Sequence, residues 1–184
     1  KIGVFAYARL FVQTFVIPDI FMLVVPVIAA VSALISAGLA LRANDIKRVV
    51  AYSTVSQLAF ILLGISSGTE SGFVGGLLYI LAHSVAKGGL FLCAGIVEHS
   101  VHTKDITKMG GLAKRFPLTA IAFALCAASI MGIPPFSGFF AKYLVIDGML
   151  AAGHPVLAAV FLLGAVMTVD RKSTRLNSSH SSPS

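Results

Sequence analysis

Residues 81–92 read LAHSVAKGGLFL, so His83 and Lys87 stand four residues apart inside an apolar run that extends from Phe73 to Val97. Tyr79 precedes His83 by four more, and on a helix the three form one polar stripe at i, i+4 and i+8. A lysine at the centre of a membrane helix costs about 2.5–3.5 kcal/mol on insertion scales. Such residues usually face the bundle interior and mark a path for ions or protons. Burial disfavours an ammonium while a nearby carboxylate favours it, so an amine between those influences can gain and lose a proton. An imidazole one turn away is a natural proton neighbour, although a lone histidine reads equally as a hydrogen-bonded core residue. Snorkelling to an interface is the structural alternative for Lys87. It fits poorly, because even the nearer end of the run is around ten residues, roughly 15 Å, away.

A second buried amine is predicted at Lys142, in GIPPFSGFFAKYLVIDG. Pro134 and Pro135 must interrupt a helix there, and freed backbone groups beside a charged residue imply water. Asp147, five residues on, does not share the face of Lys142. Lys1 opens the chain, and its spacing assigns it nothing. Arg9 is read as the interfacial end of its helix, and Asp45, Lys47 and Arg48 as the anchor of a helix N-terminus. Glu98, His99 and His102 read as solvated loop residues. There is no nucleotide fingerprint, Cys cluster or nucleophile constellation, so no redox cofactor is expected in this chain.

The elements that must hold these groups are membrane helices. The chain has 57% hydrophobic and 11% charged residues and a mean hydropathy of +0.93, against about 25% charged in soluble domains. Several apolar stretches reach spanning length, and none has the alternation of a membrane barrel. The net charge of +7 is not clustered into a nucleic-acid patch. Cys93 and Cys126 lack metal-ligand spacing and read as small hydrophobes.

The fold class is therefore an all-α polytopic bundle. Spans are expected over 1–17, 20–41 (with a bend at Pro26), 46–65 (capped by Asn44 or Asp45) and 73–98. A polar link follows, then the pieces 118–132 and 139–152, and a last run at 156–169. The two pieces read either as a pair of short spans or as one crossing by a helix broken near mid-membrane, the preferred reading. Gly75, Gly76, Gly88 and Gly89 would admit close neighbours. Arg42, Lys47 and Arg48 lie in one loop and Lys104, Lys108, Lys114 and Arg115 in another, two crossings away. By the positive-inside rule both are cytoplasmic. The chain opens inside an apolar run without Met or signal peptide and reads as cut there. Residues 1–169 form one fragment of about six helices, and 170–184 read as a disordered, non-native tail.

Together DIKRVVAYSTVSQLAFILLG, LAHSVAKGGLFLCAG, the KMGGLAKRFP link and GIPPFSGFFAKYLVIDG resemble the antiporter-like membrane subunits of respiratory complex I. Mrp-type cation/proton antiporters and membrane-bound hydrogenases share the likeness. The resemblance implies an inverted-repeat fold with a discontinuous helix in each repeat, of which this fragment holds most of the second. By motif, Lys87 corresponds to the channel lysine with His83 as companion, Lys142 to the lysine of the broken helix, and Lys1 to the lysine bridging two half-channels. Tyr143 stands where some relatives carry an acid. The implied function is proton translocation in an NADH-quinone oxidoreductase-type complex, with NADH, FMN, Fe–S clusters and quinone in other subunits. A Mrp-type Na⁺/H⁺ antiporter or a hydrogenase subunit is the alternative. A solute transporter using the Pro-Pro break, or a structural subunit whose charges merely pair, is the rival class. Expected partners are other membrane subunits, the bilayer, and protons or Na⁺, with no nucleic acid. The expected location is a prokaryotic inner membrane.

Overall fold

Side-chain caps set where the long helices begin. Asp45 Oδ1 accepts from the backbone N–H groups of Lys47 (2.8 Å) and Arg48 (3.2 Å), and α3 (Ile46–Ile65) starts there. Two otherwise orphan donors are thereby satisfied. Asp45→Ala should cost the full-length protein about 1 kcal/mol, read as a lower melting temperature in detergent. Thr69 plays the same part for α4 (Glu70–Val101), accepting from Gly72 N–H at 3.2 Å. With Glu70 against the positive helix end, α4 begins before the expected residue 73. It also runs past 98, so Glu98 and His99 belong to its last turn rather than to a loop. His102, in the left-handed region (φ 54°), closes it by donating to Glu98 O.

The computed structural model describes residues 1–16, 18–43, 45–103, 105 and 112–178. Asn44, Lys104 and Lys108, assigned above to a cap and a basic loop, lie outside the described residues. The first segment is shorter than expected: α1 (Ile2–Tyr7) passes into a π-helical turn, Ala8–Val12. There the Thr14 hydroxyl takes the Arg9 carbonyl at 2.8 Å, drawing the chain out of helical register. Next come α2 (Asp19–Arg42), which continues through Pro26, then α3 and α4, and a short α5 (Leu112–Arg115). α6 (Pro117–Met131), α7 (Ser137–Ala151) and α8 (Pro155–Ser178) complete the order. The backbone of α8 stays helical beyond 169 as far as Ser178, into the segment read as a disordered tail.

Among the described residues Ile20–Ala40, Ile46–Ile65 and Glu70–Val101 are long and apolar enough to cross a bilayer. α2 packs on α3, α3 on α4, and α8 on α2. One apolar cluster gathers Phe60, Ile61, Val145, Met149 and Phe161, and a second Val50, Ala86, Leu90, Ala127 and Ile130. Leu23, Ile28 and Ile35 on α2 and Leu81, Val85 and Leu92 on α4 face outward, an apolar exterior matched to lipid rather than water.

α6 and α7 both lie along α4. Gly72 of α4 meets Gly148, Gly75 meets Leu144 and Val145, and Gly89 meets Cys126. The order runs backward without reversal, so α6 and α7 sit end to end as one interrupted crossing. In this register the break lies opposite about residues 82–84 of α4. Gly75, Gly76 and Gly89 each have a neighbour where a Cβ would stand, whereas Gly88 faces open space and serves no close approach.

Candidate functional site

The break in the crossing leaves helix-end carbonyls that need donors. Gly132, at φ 80°, turns the chain so that its N–H reaches Ala128 O (3.1 Å) and Ser129 O (3.2 Å), while Ile133 N–H also reaches Ala128 O (3.1 Å). The last two carbonyls of α6 receive Lys142 Nζ, at 2.8 Å from Ile130 O and 3.0 Å from Met131 O. A lysine one turn into α7 thus caps the C-terminus of α6, where the helix dipole favours a cation. Lys142 is 6% exposed, so its amine turns inward to the break.

Lys87 is 3% exposed, which removes snorkelling. Its Nζ donates to Val50 O at 2.9 Å and Ser53 Oγ at 2.6 Å on α3. Val50 O is crowded, since the hydroxyls of Ser53 (3.0 Å) and Thr54 (2.8 Å) point at it too. A carbonyl offers two lone pairs, so amine and hydroxyls compete for it. Both amines border the same apolar cluster: Val50 accepts from Lys87, Ile130 from Lys142, and the two residues pack together with Ala86, Leu90 and Ala127.

His83 is buried on the same face of α4, level with the break. Tyr79, also buried, donates its hydroxyl to Gln57 Oε1. Lys1 is exposed but reaches α4, donating to Ser84 Oγ at 2.9 Å, and Ser84 donates in turn to Ile80 O at 2.6 Å. Pro134 and Pro135, joined by a cis peptide bond, form the linker of the break. The structure therefore brings Tyr79, His83 and Lys87 onto one helix face, with Lys142 beside the break opposite that stretch and Lys1 at the residue after His83.

Missed in the sequence was the polar face of α3. Ser53, Ser56 and Gln57 are buried and spaced i, i+3, i+4, and that spacing was the available signal. At the far end of the same two helices, Lys47 and Glu98 form an ion pair, and Asp45 and Asp105 make a backbone bridge. The loop after α2 and the link after α4 consequently meet at one end of the bundle, as their charge pattern predicts.

A family profile described as "NADH:quinone oxidoreductase/Mrp antiporter, TM" matches residues 1–168. NADH-quinone oxidoreductase subunit N of Desulforudis audaxviator is 38% identical over 140 residues, covering 76% of this chain and 28% of the relative. NADH-quinone oxidoreductase subunit L of Mycobacterium tuberculosis is 37% identical over 150 residues, covering 79% and 24%. A chain in the structure of the Mrp complex from Dietzia sp. superposes with a TM-score of 0.85 at 35% identity, covering 91% of this chain and 31% of its own length. The chain thus spans less than a third of each of these three proteins.

Proposed function

The chain belongs to the NADH:quinone oxidoreductase/Mrp antiporter transmembrane family, and from that premise we propose that it is a proton-translocating part of a membrane subunit in an NADH-quinone oxidoreductase-type complex. The observation that carries this reading is the pair of buried amines. Lys87 and Lys142 each donate to neutral oxygens, one within α3 and the other at a helix break. Neutral acceptors satisfy an amine in either protonation state, since NH₃⁺ and NH₂ both donate.

In this reading protons pass from His83 and Lys87 to Lys142, and Lys1 joins the path to the rest of the subunit. A charge arriving on one amine disfavours a charge on the next, so the sites load in turn. Electron carriers reside in other subunits, and the end bearing Arg42, Lys47, Arg48, Lys114 and Arg115 faces the cytoplasm of a prokaryotic cell. The likeness to a chain of the Mrp complex supports a second reading, Na⁺/H⁺ exchange. A requirement of proton movement for Na⁺ in the reconstituted protein would select it.

The direct test is Lys142→Ala in the assembled complex in vesicles, with proton movement and the driving reaction followed separately. Removing a proton-transfer group costs about 10²–10⁴-fold in a step it serves, so proton movement should fall by at least tenfold. Unchanged pumping would refute the role of Lys142.

A further inference from the structure

The two cysteines of the chain stand on opposite sides of the contact between α4 and α6, and both are free thiols. Cys126, on α6, packs against the apolar cluster of Val50, Ala86, Leu90, Ala127 and Ile130. Its Sγ lies 2.5 Å from where Gly89 would carry a Cβ, so the sulfur fills the notch that this glycine leaves in α4. Cys93 follows Gly89 by four residues, on the same face of α4, and is 6% exposed. α4 and α6 run antiparallel, and each side chain leans toward the N-terminus of its own helix. Cys93 therefore leans toward Gly89, and Cys126 leans toward the level of Cys93. The sulfurs converge, near enough for a charge on one to act on the other.

The surroundings select the reaction. Two thiols that join as a disulfide give up two protons and two electrons. In an apolar interior, an oxidant that took the electrons alone would leave charge behind, which is costly there. A quinone takes both electrons and both protons, and it dissolves in lipid. Cys126 is half-buried, and the outer surface of α6 beside it, with Ile121 and Leu125 exposed, is one that a lipid-soluble molecule can approach. We infer that Cys93 and Cys126 form a reversible redox pair, closed to a disulfide by a quinone dissolved in the bilayer. Two S–H bonds break, one S–S bond forms, and the quinone leaves as the quinol. The attacking sulfur must first shed its proton, so closure is slow, on the order of minutes to hours. The closed pair staples α6 to α4 one turn before Ile130, whose carbonyl holds Lys142. The pair itself is independent of the proposed function, while its effect on proton movement rests on that reading.

The experiment uses the complete complex in vesicles, first without the driving reaction, and a short-chain benzoquinone as the probe. After incubation for hours, mass spectrometry of the digested protein should find a peptide pair joined through Cys93 and Cys126, and dithiothreitol should separate it. Ferricyanide, which takes electrons alone and stays outside the lipid, should give about tenfold less of the joined pair. No joined pair, or an equal yield with ferricyanide, overturns the inference. Protons moved per turnover of the driving reaction are then measured before and after closure. Closure should lower that ratio by about threefold, because the staple restrains the break, and dithiothreitol should restore it. Cys93→Ala and Cys126→Ala, which replace small hydrophobes, should pump within about twofold of the parent protein and lose the response to the quinone. An unchanged ratio in the joined complex, or a response that persists in both variants, overturns the lock. If neither variant assembles, the joined peptide and the ratio in the parent protein decide. The peptide is read by mass, so normal pumping in Lys142→Ala refutes the proposed function and leaves the redox pair standing.

Discussion

Lys87→Arg is expected to stop proton movement as thoroughly as Lys87→Met. Arginine keeps its proton under all conditions a protein experiences, so it preserves the charge that Val50 O and Ser53 Oγ accept but cannot release it. Methionine keeps the length and apolar stem and loses the charge. If Lys87 only braced α3 against α4, arginine would rescue and methionine would not. If Lys87 relays protons, both fail, each by at least about tenfold, a conservative floor beneath the roughly 10²–10⁴-fold that a positioned acid–base group contributes to the step it serves. The measurement is acidification per turnover in vesicles, alongside the amount of assembled complex. Near-normal pumping in Lys87→Arg would move this chain to the class of structural subunits.

The second large effect belongs to Gly138→Ala. A Cβ on Gly138 would enter hard contact with the carbonyl of Ser129, backbone against backbone, with no flexible side chain able to give way. Overpacking commonly costs 1–3 kcal/mol, occasionally more, and here the strain would separate α7 from α6 at the break. The expected result is a loss of about 3 kcal/mol or more, seen as little assembled protein and a much lower melting temperature. Gly88→Ala provides the control. Nothing stands within 4 Å of its Cβ position, and replacing glycine within a helix favours the folded state by roughly 0.8–1.0 kcal/mol. Equal behaviour of the two variants would mean that the break is far more compliant than its geometry indicates.

The contrast between those glycines also marks where sequence reading stops. GG pairs suggest close helix contact, and Gly75, Gly76 and Gly89 supply it, but which of two adjacent glycines faces a neighbour depends on a packing angle that no local pattern carries. α3 was legible to the residue, because Asp45 caps one end and a polar loop follows the other. The interruption between α6 and α7 was legible from Pro134 and Pro135. Its arrangement as one crossing became definite only when both pieces lay along α4. Lys87 and Lys142 stood out because charge in an apolar run is conspicuous. Their acceptors did not, since Val50, Ile130 and Met131 contribute backbone carbonyls, which every residue has. Ser56 and Gln57 were readable in principle, but small neutral polar groups barely disturb a hydropathy profile.

The position of Lys142 at the end of α6 has a consequence for motion. Should Nζ swing away, the buried carbonyl oxygen of Ile130 and the part-buried one of Met131 would lose a donor, a debt of up to several kcal/mol for a group left in hydrocarbon. The side chain therefore cannot simply withdraw; it has to be relieved by something bringing hydrogens of its own. Wetting of the kink and release of the lysine become a single event, and a bundle that stays dry there keeps its lysine docked.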